Sequence, residues 1–154
     1  MPKRENWDGV PPGELPIDSS GLQGVLESIK QLYGNPPIYI HENGQRTLHN
    51  ASLNDTSRVQ YLNTSLACIL HSMRNGSDVR GYFTWSFLDV FELTDGYKSS
   101  YGLYYVDFKD PDLKRYPKLS AHWYSTFLKE RRNNVNGVIE LKNKSGYSQS
   151  SHFA

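Results

Sequence analysis

Apolar positions along this chain alternate between helical and strand spacing. Leu22, Val25, Leu26, Ile29 and Leu32 recur every three or four residues, with a capping box of Ser20 and Gln23 at their start and Gly34 just past their end. A first amphipathic helix is expected there. Pro36 and Pro37 then bar helix entry, so Ile38-Tyr39-Ile40 reads as a short strand buried on both faces, and Asn43-Gly44 as its sharp exit. After a polar loop, Asn54 or Asp55 caps a second helix whose stripe runs through Val59, Leu62, Leu66, Ile69, Leu70 and Met73 to Asn75-Gly76. Arg80 to Trp85 is β-rich and reads as a second buried strand. The order helix, strand, helix, strand predicts parallel pairing with a right-handed crossover.

From Phe87 to Asp112 the periodicity lapses into a long loop-like passage, broken by a short strand at Leu103 to Asp107. Loops of that length inside a compact domain are usually functional. Pro117 is expected to open a last helix through Trp123, Tyr124, Phe127 and Leu128, which stops at the basic cluster Lys129 to Arg132 and Asn133-Asn134. Three segments follow from this reading: an irregular lead-in over residues 1–16, an α/β body over 17–132, and a polar tail over 133–154 that is expected to be poorly ordered.

Composition narrows the classes of function. The 154 residues suffice for one domain with a real core. A net charge of +1 and a pI near 7.8 leave no electrostatic footprint for nucleic acid or an anionic membrane, and no apolar run is long enough to cross a bilayer. The basic cluster at the end of the last helix reads as dipole complement and solvated face. A single cysteine, Cys68, excludes an internal disulfide and a cysteine-built metal site, and its apolar helical setting suits a buried structural thiol. No metal and no cofactor is expected. His71, near a helix C-terminus, is read as structural. The 11 tyrosines and three tryptophans suit a protein that handles sugars or other ring-faced ligands, and equally an aromatic core. Sequons at Asn50, Asn54, Asn63, Asn75 and Asn143 point to a glycoprotein and a parent on the secretory route, extracellular or vacuolar, although the first residues lack the apolar core of a signal peptide.

The chemistry centres on Glu42. A carboxylate at the carboxyl end of a parallel strand is held by the strand while the following loop leaves its side chain free to face a substrate. The same position also suits a merely solvated strand-end acid. Two segments together carry a more specific signal. Ile38-Tyr-Ile-His-Glu-Asn-Gly44 resembles the nucleophile motif Ile/Val-Thr-Glu-Asn-Gly of glycoside hydrolase family 1. Gly81-Tyr-Phe-Thr-Trp-Ser-Phe-Leu-Asp-Val-Phe-Glu92, with Gly96-Tyr97 and Tyr101-Gly-Leu-Tyr-Tyr-Val-Asp107, is similar to that family's eighth strand and the loop beyond it. The Pro117-Lys-Leu-Ser-Ala-His-Trp-Tyr segment and Tyr33-Gly-Asn-Pro-Pro37 are most similar to plant β-glucosidases. The resemblance runs from about Trp7 to Arg131.

The resemblance implies the last two strands and flanking helices of a (β/α)8 TIM barrel, and a role for each matching residue. Glu42 matches the nucleophile that attacks the anomeric carbon, Trp85 the platform under the non-reducing sugar, Glu92 the carboxylate that hydrogen-bonds its distal hydroxyls, and Tyr101 an aromatic position at the sugar's far edge. Retaining hydrolysis needs a second carboxyl group about 5 Å from the nucleophile. In the family it lies in an Asn-Glu-Pro motif, which none of this chain's seven glutamates matches. A barrel of this type needs roughly 250 residues, so the chain is expected to be the last quarter to third of an enzyme, an incomplete barrel with open edges that permit self-association. His41 stands where Thr is usual, its side chain expected to point away from Glu42. Leu93 stands where many members have a second sugar-contacting Trp. The expected function is β-glucosidase-type hydrolysis of a small β-glucoside, with only the nucleophile half of the site present. A non-catalytic short form, or transglucosylation by a full-length parent, are the alternatives.

Overall fold

A computed structural model of the chain describes residues 19–133. The lead-in expected over 1–16, the tail beyond Asn133 and the Asn143 sequon lie outside the described residues. The elements in order are α1 (Ser19–Leu32), β1 (Ile38–Asn43), β2 (Thr47–Leu48), α2 (Thr56–Arg74), β3 (Val79–Thr84), β4 (Ser99–Ser100), β5 (Tyr104–Val106), β6 (Arg115–Pro117) and α3 (Leu119–Asn133).

β1 and β3 pair in parallel with α2 as the crossover, in the register Ile38↔Val79, Tyr39↔Gly81, Ile40↔Tyr82 and Asn43↔Thr84. One face of this pair packs on helices. Leu26 of α1, Ile69 of α2 and Val79 of β3 form a buried cluster flanked by Leu22, Ile38, Ile40 and Tyr82. Leu62, Leu103 and Ala121 form a second cluster, which joins α2 to α3 and to the loop before β5, and Tyr82 packs against both. Each fully buried Leu here stabilises by about 1.5–3 kcal/mol relative to exposure.

The expectation that the first strand is buried on both faces holds for one face. Tyr39 is 54% exposed and Phe83 57%. His41, also exposed, sits between them with ring centroids 6.5 and 6.0 Å away. Among the described residues β1 and β3 also hydrogen-bond only to each other, which leaves both edges of the pair open. Gly81 leaves room for the Tyr39 ring, since a Cβ there would come within 2.6 Å of Tyr39 Cδ1.

Helix boundaries refine the periodic reading. α1 is described from Ser19, with Ser20 already helical, and the residues before it lie outside the described part. Its buried stripe is narrower than expected, with Leu26 at the centre and Val25 and Leu32 exposed. Asp55 does occupy the N-cap of α2, yet its side chain makes no cap hydrogen bond and turns instead to Arg58 and Ser120. Gly76, in left-handed backbone at φ 94°, closes that helix as expected. Pro117 does not open the last helix. It ends β6, paired antiparallel with β5 through Tyr104↔Pro117, and α3 begins at Leu119. The passage from Phe87 onward is also less irregular than its sequence suggests, because Ser99–Ser100 pairs antiparallel with Thr47–Leu48.

Candidate active site

The tip of β1 meets the end of β3 through the backbone. Trp85 N–H donates to Asn43 O at 3.0 Å, immediately beside Glu42. A register irregularity between Ile40 and Asn43 sets three steps on β1 against two on β3. It turns Asn43 toward the helices, where Nδ2 donates to Tyr61 Oη at 3.0 Å and Oδ1 accepts from Tyr82 Oη at 2.9 Å. Asn43 thereby fixes the residue after Glu42 with both ends of its amide. Glu42 itself is exposed, and among the described residues its carboxylate has no hydrogen-bond or ion-pair partner.

Gly44 is required by crowding. A Cβ on it would lie 1.8 Å from Trp85 O and 3.5 Å from the Tyr101 ring. The absence of a side chain lets the Glu42 loop, Trp85 and Tyr101 close on one another.

Trp85 is half-buried, joined to Ser86 by a cis peptide bond, and its Nε1–H donates to Glu92 Oε1 at 3.3 Å. Glu92 is held in turn by a backbone bridge to Gly96, with N–H···O distances of 2.9 and 2.7 Å. The Tyr101 phenol is pushed up in pKa by burial and then by the negative charge of Glu92. Of the four residues named from the sequence, Trp85 and Tyr101 lie against Gly44, two positions after Glu42, and Glu92 is joined to the Trp85 indole. His41 shares its exposed face with Tyr39 and Phe83. Leu93, beside Glu92, is 97% exposed.

Two buried ion pairs that the sequence reading did not identify hold these segments. Arg58, 2% exposed, donates to Asp55 Oδ2 at 2.8 Å, Gln45 O at 2.6 Å, Tyr101 O at 2.8 Å, Thr47 Oγ1 at 2.8 Å and Ser100 O at 3.1 Å. A single guanidinium therefore ties the loop after Glu42 to the segment that presents Tyr101. Lys118 Nζ reaches Asp89 Oδ1 at 2.9 Å and Oδ2 at 3.1 Å, Ser100 Oγ at 2.6 Å and Gly102 O at 2.8 Å. Asp89 Oδ1 also accepts from Gly102 N–H at 2.9 Å, and a Cβ on Gly102 would lie 2.2 Å from Asp89 N. Burial pushes the Lys118 ammonium down in pKa, and the adjoining Asp89 charge opposes that shift. One signal for Arg58 was present in the sequence: it stands on the same helical face as Leu62, Leu66 and Ile69, where a solvated charge does not belong. Lys118 carried no comparable signal.

A parallel strand pair with a crossover helix, and a carboxylate at the strand tip, are parts of an α/β barrel. The profile of glycosyl hydrolase family 1 matches residues 11–133, and the chain belongs to that family. It is 64% identical to Beta-glucosidase 11 of Arabidopsis thaliana over 109 residues, which cover 70% of this chain and 21% of that protein. It is 51% identical to the cyanidin 3-O-glucoside 5-O-glucosyltransferase (acyl-glucose) of Dianthus caryophyllus, over 80% of this chain and 26% of that one. Among solved structures it superposes on the rice Os3BGlu6 β-glucosidase with a TM-score of 0.68 and 44% identity, covering 71% of this chain and 24% of that one. An aphid myrosinase superposes with a TM-score of 0.72 and 33% identity, covering 78% and 26%. The chain spans about a quarter of the length of the relatives it matches. The barrel expected from the resemblance is the family's fold, and the described residues contribute an incomplete portion of it.

Proposed function

We propose that the chain carries the nucleophile half of a retaining β-glucosidase site. In this reading Glu42 Oε attacks the anomeric carbon of a β-glucoside while the bond from that carbon to the leaving oxygen breaks, giving a glucosyl ester on Glu42. Trp85 covers the apolar CH face of the sugar, Glu92 accepts hydrogen bonds from its distal hydroxyls, and Tyr101 borders its far edge. The observation that carries the reading is the join at Gly44, where the backbone beside Glu42 is bonded to Trp85 and the indole is bonded to Glu92. A natural glycoside also needs a proton delivered to its leaving oxygen, and a water activated afterwards. No Asn-Glu-Pro glutamate is present for this, so the chain alone is expected to attack only substrates whose leaving group departs unprotonated.

Incubation with a 2-deoxy-2-fluoro-β-glucoside bearing a dinitrophenolate leaving group tests this. The expected result is a fluoroglucosyl mass increment on the peptide containing Glu42, absent in Glu42→Gln. An unmodified peptide after prolonged incubation at millimolar reagent would refute it.

Transglucosylation in a longer parent is the second reading. It is favoured by Leu93, which leaves the outer edge of the glycone loop open, and by the resemblance to a protein named as a glucosyltransferase. A non-catalytic short form that self-associates through its open strand edges is the third, favoured by the exposed Tyr39 and Phe83 face.

A further inference from the structure

Arg46, four residues after Glu42, reaches across the site rather than into solvent. Its Nε donates to Asp95 Oδ2 at 2.7 Å and to Ser99 Oγ at 2.9 Å, and its Nη2 lies 2.6 Å from Asp95 Oδ2. Ser99, buried, donates its own hydroxyl to the same Asp95 oxygen. These hydrogen bonds, Ser99 first and Arg46 second, hold the Asp95 carboxyl below its ordinary pKa. The base of Arg46 is fixed as well, because the preceding carbonyl of Gln45 is held by the buried Arg58.

The other partly exposed pairs of a lysine or arginine with a carboxylate among the described residues are local. Lys30 with Glu27, Arg80 with Asp78 and Lys114 with Asp110 lie within four positions of each other and restrain only their own turns. Arg46 and Asp95 are 49 positions apart. Asp95 is bonded through the chain to Gly96, which exchanges two backbone hydrogen bonds with Glu92, and Glu92 holds the Trp85 indole. A shift at Asp95 is therefore passed within three contacts to the indole.

We infer that Arg46 and Asp95 form a tie between the nucleophile loop and the loop carrying Glu92, with Arg46 a positioning residue that sets how the distal side of the sugar is held. This rests on the reading of Trp85 and Glu92 as the sugar-contacting groups. Arg46 touches no reacting atom, so its effect falls on binding rather than on bond breaking.

The test uses the full chain labelled with ¹⁵N, in which the Trp85 indole N–H signal is assigned from Trp85→Phe. Arg46→Gln and Asp95→Asn are each expected to move or broaden that signal while leaving the Trp123 indole in place. The reversed pair, Arg46→Asp with Asp95→Arg, is expected to bring it back, and Arg80→Gln is expected to leave it unmoved. A Trp85 signal unchanged in both single variants overturns the inference, and so does a wild-type signal already at the position of a solvated indole. If Trp123 also moves, the single variant has lost its fold and the reversed pair decides. A second arm reads the labelling of Glu42 by the fluoroglucoside. Arg46→Gln is expected to raise the concentration for half-maximal labelling roughly three- to fivefold, with the limiting rate within about twofold, in keeping with one partly exposed ion pair. A fall in limiting rate with unchanged half-saturation contradicts the inference. Failure of the wild type to label refutes the role of Glu42, while the indole signals still decide whether the tie exists.

Discussion

The two halves of the site are built differently. The segments after Glu42 and after Trp85 are cross-tied by two buried cations, Arg58 and Lys118, whose hydrogen bonds reach Gln45, Thr47, Ser100, Tyr101, Gly102, Asp55 and Asp89. The strand pair that delivers Glu42 packs on one side and leaves Tyr39, His41 and Phe83 exposed on the other. The difference teaches which part of the site this chain determines by itself. The loops carrying Glu92 and Tyr101 are specified by contacts within the described residues, and the sheet is specified on one face.

The most damaging way to break this contrast is at Arg58. Arg58→Met leaves the buried Asp55 with Ser120 alone and without its cation, removes one donor from each of the Gln45, Ser100 and Tyr101 carbonyls, and is expected to cost about 3–5 kcal/mol. Urea melts followed by tryptophan fluorescence would measure it. Leu62→Ala, at the fully buried centre of the second cluster, is expected to cost about 3 kcal/mol by the same measurement. A loss under about 1 kcal/mol would mean that the α2 to α3 packing tolerates a cavity, contrary to the account.

Alkaline pH sharpens the comparison next. Burial pushes the Tyr82 phenol up in pKa, so the folded state retains a proton that the unfolded state gives up. The sign follows from linkage: this contribution is fully present below the ordinary phenol value of about 10 and is lost as pH rises beyond it. Tyr82→Phe should flatten that part of a stability profile, at the cost of the hydrogen bond to Asn43. The smallest effect on stability is expected on the open face. Phe83→Thr should change the unfolding free energy by no more than about 0.5 kcal/mol, while lowering self-association in sedimentation velocity. A large destabilisation would show that this face is packed.

Much of this was legible in the residues. The double proline and the apolar triplet before Glu42 located β1, and the stripe from Leu62 to Ile69 located α2, because both patterns are long enough for their period to be counted. Glu42, Trp85, Glu92 and Tyr101 were reached through motif resemblance, and the fold sets Trp85 and Tyr101 against the glycine that follows Glu42. The cross-ties were not legible. Arg58 bonds partners 3 to 43 positions away and Lys118 bonds partners 16 to 29 positions away, so composition counts both as ordinary surface charge. β2 and β4 have two residues each, too few for alternation to register. Pro117 suits a helix start and a strand end equally well by its fixed φ, and only the pairing with Tyr104 separates them. Gly44 reads as a turn former in sequence, whereas its place is set by the Trp85 carbonyl against it.

In the proposed function the indole of Trp85 and the carboxylate of Glu92 form a sugar cradle beside Glu42. Titration of the ¹⁵N-labelled chain with a glucose-configured iminosugar tests it most directly. The expected result is a saturable shift of the Trp85 indole signal alone among the three tryptophans, abolished by Glu92→Ala. A shift confined to Trp7 or Trp123, or no saturable shift at millimolar ligand, would contradict it.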